Sequence, residues 1–300
     1  MQKPDPHASG SALALAGFVL IGATPATNMI LARGLAGSVP PFSLAFFRWS
    51  IVAACLISFA LSEWRADRLA LRGNTLAIMA AGFLGMFLCG APVYIAGATT
   101  TAINIGLIMA LSPIVVLGLS RLLGLERIKA LQVLGMALAL TGALLIISRG
   151  DPRTLAEIKT APGDLFVLIA MLGWSGYTLL QSRVAADASF LARVCVFAAA
   201  GALLTLPFAL HEMWDTPHGV FNARAAAAYV FAGLVPGLFA YAGFAYLVGR
   251  FGSVRASITL YIGPIASAVL SYFVLGEPPG LIHLVGGALI LGGVWATLRG

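Results

Sequence analysis

Charged residues are scarce in this chain. Only 10% of its 300 residues are Asp, Glu, Lys or Arg, whereas 60% are hydrophobic. A soluble globular domain would carry about a quarter charged residues, so the composition excludes that class. The apolar residues form runs of about 20, long enough to cross a hydrocarbon core about 30 Å thick. Because the short alternating segments of a membrane β-barrel are also lacking, the sequence indicates an all-α, polytopic membrane protein.

Cysteine and histidine are too few and too scattered for most catalytic or metal chemistry. The three cysteines lie inside apolar runs without disulfide or metal spacing, and of the four histidines three lie in polar segments and His283 near the start of predicted helix 10. No G-x-S-x-G or H-E-x-x-H motif occurs. We therefore expect neither an enzyme nor a metal or cofactor site. Basic loops account for the net charge of +7, and no basic run would bind nucleic acid.

One long stretch of the sequence occurs twice, once from Ser112 and again from Gly263. A shift of 151 residues superposes the two copies without a gap. The chain is therefore two copies of one unit, which we place at 11–148 and 163–298, with a polar linker at 149–162. The shift pairs Gly22 with Gly173, Gly82 with Gly233, Pro113 with Pro264, Glu126 with Glu277, Gly135 with Gly286 and Gly142 with Gly293.

Each unit contains five apolar runs, so we predict ten transmembrane helices. An odd number of helices brings the second unit into the membrane from the opposite side, which makes an inverted repeat. The first run pairs with an internal one, so we assign it to the fold and not to a signal peptide. Predicted helices 1 to 10 lie at about 11–31, 42–62, 75–97, 101–123, 128–148, 163–182, 189–210, 225–248, 253–275 and 280–298.

The basic residues fit this topology. Loops on one predicted face carry ten Arg and Lys residues, whereas loops on the other carry Arg33 and Arg224, and the linker carries three more. Positively charged loops mark the cytoplasmic side, so both termini are expected there. We expect a multi-pass protein of the cell inner membrane, present in the bilayer as a monomer or a homodimer.

Paired glycines predict a scaffold. Gly135 and Gly142 are seven residues apart and share one face of predicted helix 5, and Gly286 and Gly293 do the same in predicted helix 10. Small residues let membrane helices approach closely. We therefore expect predicted helices 5 and 10 to be scaffold elements that pack against each other.

Several repeated motifs resemble the EamA-type repeat of the drug/metabolite transporter superfamily. They are the segment PPFSLAFFRW at 40–49 with its pair Phe47–Arg48, Ser112–Pro113 repeated as Gly263–Pro264, Glu126 repeated as Glu277, and the glycine-rich helix that closes each unit. The resemblance covers about residues 11–298. It implies ten helices in two inverted repeats that export small metabolites by alternating access. In length and topology the chain is similar to bacterial exporters of amino acids, aromatic ones included.

Proline and clustered glycine indicate where a site would lie. In lipid every backbone N–H and C=O needs a partner, and these residues break the helical pattern that supplies one. Matching interruptions in two halves of a transporter are a good indication of its site. We expect predicted helices 1, 3, 4, 6, 8 and 9 to surround a central cavity, with packing or kinking as the alternative role. The candidate interruption or gating residues are Pro25, Pro92, Pro113, Gly173, Gly176, Pro236 and Pro264.

The side chains near these interruptions are mostly neutral, which predicts a neutral cavity. Tyr and Trp offer flat apolar faces with one polar handle, and their π faces can receive an ammonium group. A partly aromatic zwitterion suits such a lining, with its carboxylate at backbone N–H groups of a broken helix. Core or interfacial packing is the alternative for several of them. The candidate substrate-binding residues are Thr24, Asn28, Tyr94, Asn104, Trp174, Ser175, Tyr177, Tyr241, Tyr246 and Tyr261.

The few charged residues in or beside the predicted helices favour anchoring and capping. Arg48 is expected to snorkel to the interface, with substrate contact as the alternative, and Trp49 to join an interfacial aromatic belt. Asp164 and Glu126 are expected to cap helix ends. Proton-driven pumps usually hold buried Asp, Glu or His as relays, and no carboxylate lies in mid-membrane. We therefore predict transport down the gradient of the substrate.

The predicted function is the export of small metabolites, amino acids including aromatic ones, by alternating access through a central neutral cavity. Export of drug-like compounds or other metabolites stays open. A nucleotide-sugar is less favoured, because it would call for basic residues and only Arg48 is available. A channel is a further alternative, although a pore would be expected to carry polar or charged rings.

Overall fold

The structure is a computed structural model that describes residues 12–65, 71–151, 153, 159–266, 269 and 280–300. These residues are helical or in turns, and none of them forms a β-strand. Eight segments are long and apolar enough to cross a membrane, and they overlap predicted helices 2 to 8 and 10, so the all-α membrane class is confirmed. The segments are Pro41–Arg65, Asn74–Thr99, Asn104–Leu122, Ala130–Ile147, Pro162–Leu180, Phe190–Asp215, Ala223–Phe251 and Leu281–Arg299.

Several of these segments are divided into shorter helices. Up to residue 151 the described α-helices are α1 (Ala12–Gly34), α2 (Pro41–Arg65), α3 (Leu71–Gly82), α4 (Ala91–Thr99), α5 (Ala102–Met109), α6 (Ser112–Leu122) and α7 (Ala130–Ile147). From residue 159 onward they are α8 (Pro162–Leu180), α9 (Phe190–Asp215), α10 (Pro217–Val220), α11 (Ala223–Ala232), α12 (Ala240–Phe251), α13 (Ser253–Ser257) and α14 (Leu281–Arg299).

Predicted helix 9 is described only over its first half. It begins as α13, continues as a 3₁₀-helix at Ile258–Ile262 and is α-helical at 263–266. Of the rest of that predicted helix, the structure describes residue 269. Glu277, in the turn that follows, lies outside the described residues.

A π-helix interrupts predicted helices 3 and 8 at equivalent places. It spans Phe83–Phe87 in the first and Gly233–Phe239 in the second, and the shift of 151 residues carries 83–87 onto 234–238. Single π-helical turns inside α-helices are rare and occur frequently at functional sites. Sequence analysis placed interruptions in both helices but did not predict their π-helical form.

The predicted packing of the two glycine-rich helices against each other is confirmed. A Cβ at Gly142 of α7 would lie 2.5 Å from the carbonyl oxygen of Gly286 in α14, and one at Gly286 would lie 2.9 Å from that of Gly142. Gly135 and Gly293 meet in the same reciprocal way. Under the shift of 151 residues, position 135 is equivalent to 286 and position 142 to 293. Each of the two glycines in α7 therefore contacts the α14 residue that is equivalent to the other glycine of α7. Such reciprocity is the pattern of a twofold axis, and it makes the two helices antiparallel.

Three predicted prolines begin helical segments. α6 starts after a break at residues 110–111 and has Pro113 in its first turn, and α4 likewise has Pro92 in its first turn. The 3₁₀-helix Ile258–Ile262 ends just before Pro264. Proline lacks a backbone N–H, which the first turn of a helix does not use, so it fits at the start of a helical segment. The interruptions next to these prolines therefore agree with prediction.

The predicted interruption at Pro25 takes a different form, because α1 continues through it. Proline has no N–H to donate to the carbonyl of Ile21, four residues before it. The hydroxyl of Thr24 donates to that carbonyl instead, at 2.6 Å. The side-chain hydrogen bond satisfies the exposed backbone group, so the helix does not break.

The prediction of an interruption at Gly173 and Gly176 is wrong, because α8 is continuous across both. A Cβ at Gly173 would lie 2.7 Å from the carbonyl oxygen of Leu84, and one at Gly176 would lie 3.2 Å from the Leu84 side chain. These glycines therefore allow α8 to pack closely against the first π-helix.

Candidate functional site

A cavity lies between the helices and receives side chains from both halves of the chain. Its volume, including the space at its open side, is about 630 Å³. Residues of α1, α2, α4, α5, α8, α12 and the second π-helix form its wall. The polar and aromatic residues of the wall are Asn28, Arg48, Cys89, Trp174 and Tyr241, and its apolar residues include Pro25, Met29, Ile105, Met109, Val167 and Pro236.

Arg48 gives this central cavity a positive charge. The residue is only 2% exposed, although a guanidinium stays protonated in proteins. Its Nη1 donates to the Tyr94 hydroxyl at 2.9 Å and to Oδ1 of Asn28 at 3.2 Å, and its Nη2 donates to the Pro236 carbonyl at 2.7 Å. The guanidinium carbon lies 4.3 Å from the centre of the Trp49 ring. The predictions of a snorkelling Arg48 and a neutral cavity are therefore wrong, because neutral acceptors and an aromatic face hold the cation inside.

Carbonyl groups of the π-helices accept hydrogen bonds from side chains around the cavity. Nε1 of Trp49 donates to the carbonyl of Met86 at 2.9 Å. The hydroxyl of Tyr241 donates to the carbonyl of Gly85 at 2.7 Å. The contact of Arg48 with the second π-helix, given above, is the third of these bonds. Buried polar side chains need such partners, so the π-helices help to fix the orientation of the cavity wall.

Aromatic rings form one side of the cavity. The Trp174 and Tyr241 rings are nearly perpendicular, with centres 5.2 Å apart, and Trp174 lies 4.7 Å from the ring of Phe244. Edge-to-face and tilted pairs of this kind are favourable beyond the area they bury. Nε1 of Trp174 is buried and has no hydrogen-bond partner among the described residues. The wall therefore offers aromatic surface together with an unused N–H donor.

A second cavity, of about 590 Å³, lies at the C-terminal end of α1 and the N-terminal end of α2. Its lining is mostly apolar but includes Tyr94. The hydroxyl of Tyr94 donates to Asn28 at 2.9 Å and accepts from Arg48, and both of those residues line the central cavity. The cluster of Tyr94, Asn28 and Arg48 therefore stands between the two cavities.

Comparison with known proteins identifies the family. The EamA-like transporter family matches residues 10–148 and, a second time, residues 161–299. The chain belongs to the EamA-like transporter family. This places it in the drug/metabolite transporter superfamily, as its repeated motifs indicated.

Several proteins that are similar in sequence to this EamA-like transporter are themselves named as transporters or exporters. It is 30% identical over 268 residues to the uncharacterized transporter YdfC of Bacillus subtilis (strain 168), covering 88% of this chain and 83% of that one. A probable terminal-alkyne amino-acid exporter of Streptantibioticus cattleyicolor is 29% identical over 195 residues, covering 64% and 63%. A crystal structure with 23% identity and a TM-score of 0.73 covers 97% of both chains and shows that the fold is shared.

The EamA-like transporter brings some of the predicted site residues to the central cavity. Asn28, Trp174 and Tyr241 line it, as do Pro25 and Pro236. Tyr94 borders it through the cluster with Arg48 described above.

Four other predicted residues are buried in the packing and do not line the cavity. Tyr177 and Tyr261 are both 0% exposed, and their hydroxyls have no partner among the described residues. The Ser175 hydroxyl lies 2.9 Å from that of Ser112, where α8 meets α6. Thr24 bonds within its own helix, as described above.

Two predicted site residues lie away from the cavity. Tyr246 is half exposed on the outer side of α12, with its ring 5.8 Å from that of Phe190. Nδ2 of Asn104 bonds the two carboxylate oxygens of Asp164 at 3.0 and 2.9 Å, and the Thr100 hydroxyl also donates to that carboxylate. A carboxylate at a membrane helix needs such donors, so Asn104 ties α5 to α8.

Two carboxylates cap helices, as predicted. Oδ2 of Asp164 accepts the N–H of Ala161 at the start of α8, at 2.8 Å. Oε1 of Glu126 accepts the N–H of Ser253 at the start of α13, also at 2.8 Å. The helix that Glu126 caps belongs to the other half, so this contact also joins the two halves. Sequence analysis did not predict this.

Sequence analysis misplaced Arg48 and Trp49, which are central to the site. The signal was present in α2, where Ala45, Arg48, Trp49 and Val52 follow the spacing i, i+3, i+4 and i+7. All four are buried, at most 2% exposed. The alanine and the valine on this face indicate that the arginine and tryptophan point inward with them.

Proposed function

We propose that this EamA-like transporter exports small metabolites, amino acids including aromatic ones, by alternating access through the central cavity. One observation carries the proposal: Arg48 from one half of the chain lines the same cavity as Trp174 and Tyr241 from the other half. A metabolite with a polar head and an apolar or aromatic body suits such a wall. The amino-acid exporter among the relatives supports amino acids as the substrate class.

The proposed architecture has ten membrane helices in two inverted repeats, at 11–148 and 163–298, with a linker at 149–162. Both termini lie on the cytoplasmic side of the inner membrane, and the protein acts as a monomer or a homodimer. The antiparallel contact of equivalent glycines in α7 and α14 supports the inversion.

Two contacts would control access to the cavity. The Tyr94, Asn28 and Arg48 cluster separates it from the second cavity, and the bond of Glu126 to Ser253 joins the two halves elsewhere. In the proposed cycle these contacts open in turn, so that the cavity faces one side of the membrane at a time. The gradient of the substrate drives the cycle.

The experiment is uptake of a panel of labelled amino acids into liposomes that hold the purified protein. Wild type is compared with Trp174→Ala, which removes an aromatic face of the cavity, and with Trp214→Ala as a matched control. Trp214 is 88% exposed and lies outside the cavity. We expect saturable uptake of Phe, Trp or Met by wild type and by Trp214→Ala, and reduced uptake by Trp174→Ala.

Failure of folded wild type to move any amino acid would overturn the proposed substrate class. Export of drug-like compounds would then be tested with the same liposomes. Equal loss of uptake in both tryptophan variants would count against a cavity role for Trp174.

A further inference from the structure

Arg48 is a buried cation that has only neutral partners. Its hydrogen bonds go to an amide oxygen, a hydroxyl and a backbone carbonyl, at 3.2, 2.9 and 2.7 Å. Among the described residues no carboxylate bonds to it or lines the cavity. A buried charge without a counter-charge is costly, and inside a membrane such a residue usually marks a functional site.

The guanidinium also has donors to spare. It carries five N–H groups, of which three are used by the bonds to Asn28, Tyr94 and Pro236. Its Nε is buried without a partner among the described residues. Nε and Nη2 form one edge of the guanidinium fork, and a carboxylate can accept two parallel hydrogen bonds from such a fork.

A second unused donor lies in the same wall. Nε1 of Trp174 is buried without a partner among the described residues, and Trp174 and Arg48 both lie beside the Tyr241 ring. Buried donors are normally satisfied, so a hydrogen-bond acceptor that enters this cavity would find two unused donors in its wall. Beside a guanidinium, an acceptor that carries negative charge is favoured.

We propose that Arg48 binds the carboxylate of the substrate, and that the cavity selects monocarboxylates with an apolar or aromatic body. This inference rests on the proposed function of the cavity in transport. One carboxylate balances the one guanidinium, whereas a phosphate dianion would leave an excess negative charge in an apolar wall. No described lining residue is acidic, so an ammonium group gains no ion pair from them and meets aromatic faces and the Asn28 amide instead. Amino acids are therefore one member of the class, and the same acids without the amino group belong to it too.

The test is calorimetric binding of three matched probes to the purified full-length protein in lipid nanodiscs. The probes are L-phenylalanine, 3-phenylpropionate, which keeps the carboxylate and lacks the ammonium, and 3-phenylpropanamide, the uncharged amide of that acid. We expect both carboxylates to bind with comparable affinity, and the amide to bind about tenfold more weakly or worse. Equal or tighter binding of the amide would overturn the inference, as would failure of both carboxylates to bind.

Variants locate the carboxylate subsite. Arg48→Gln should remove the preference for carboxylate over amide, and Arg48→Lys, which keeps the charge but not the fork, should retain part of it. Arg193→Gln is the matched control, because Arg193 is also partly buried with an unpartnered Nε but does not line the cavity. Its preference should equal that of wild type. A carboxylate preference that persists in folded Arg48→Gln would contradict the assignment.

The same probes in transport separate the two proposals. Transport of the amide but of neither carboxylate would contradict the assignment of Arg48 and would remain consistent with transport through the cavity. If the carboxylates bind but none of the probes is moved, the proposed transport fails while the subsite stands.

Discussion

Gly85 and Pro236 occupy equivalent positions in the two halves, 151 residues apart, and each offers its carbonyl to a side chain of the other half. Tyr241 donates to Gly85 at 2.7 Å, and Arg48 donates to Pro236 at 2.7 Å. Both carbonyls belong to π-helices. The two halves therefore hold each other at the cavity wall through a pair of equivalent backbone groups, even though the donor side chains differ.

The bond to Gly85 can be removed without changing the shape of the wall. Tyr241→Phe deletes one hydroxyl and leaves a buried carbonyl without its side-chain partner. We expect a loss of about 0.5–2 kcal/mol in the free energy of unfolding, the range for hydrogen bonds between membrane helices, together with slower transport. Unfolding in detergent and liposome uptake measure the two effects. Tyr246→Phe is the control, because that tyrosine is half exposed away from the cavity, and an equal effect of both changes would contradict this role.

The glycine contact of α7 with α14 should tolerate no added side chain. Gly142→Ala would place a methyl group 2.5 Å from the carbonyl oxygen of Gly286, so the helices must separate. We expect a destabilisation of about 1–3 kcal/mol, seen as a lower unfolding temperature. Gly118→Ala in α6 is the matched control. A Cβ there meets nothing within 4 Å, and in a helix alanine is favoured over glycine by about 1 kcal/mol, so this variant should be as stable as wild type or more so.

The hydrogen bond between Glu126 and the N–H of Ser253, which joins the two halves, should contribute to the stability of the protein. Glu126→Ala removes the acceptor for the N–H of Ser253 and should cost about 0.5–2 kcal/mol of stability. Glu126→Gln keeps an oxygen acceptor and should cost less. Asp151→Ala serves as the comparison, since that exposed carboxylate accepts the N–H of Arg153, two residues away. Chemical unfolding of the three variants would show a loss confined to Glu126 if the cap has this role.

Transport should not depend on a proton gradient. The described residues that line the central cavity do not include Asp, Glu or His, the side chains that usually serve as proton relays. Liposomes loaded with substrate should therefore exchange labelled substrate at the same rate with and without a protonophore. Uptake that requires an imposed pH gradient would show that the coupling prediction is wrong.

The sequence predicted the positions of the helices well, because each apolar run is long and bounded by polar residues. Eight described segments overlap predicted helices, and the contact of α7 with α14 follows from glycines spaced by seven residues. The π-helices could not be predicted in the same way. One additional residue in a turn leaves the apolar character of a membrane helix unchanged, and hydrophobicity carries no periodic signal when both faces are apolar.

The site was harder to predict than the helices, because rotation about each helix axis decides which side chains face inward. Tyr241 and Tyr246 lie on one helix five residues apart, yet only Tyr241 reaches the cavity. An arginine two turns inside a helix satisfies its charge either by extending to water or by finding acceptors within the protein. For Arg48 the acceptors come from Asn28, Tyr94 and Pro236, which are distant in the sequence, so only the folded chain shows which alternative holds.

The reciprocal glycine contacts of α7 and α14 also limit how the halves can move. The two backbones approach so closely that a Cβ added at Gly142 would lie 2.5 Å from the carbonyl oxygen of Gly286, so the contact leaves little room for sliding. A shift along the helix axis by one residue would bring larger residues into the places that the glycines occupy. In the proposed cycle we therefore expect the halves to rotate about this contact and not to slide along it. α7 and α14 would then serve as the pivot of the transport cycle, and the wall that carries Arg48 and Tyr241 would travel farther than the pivot does.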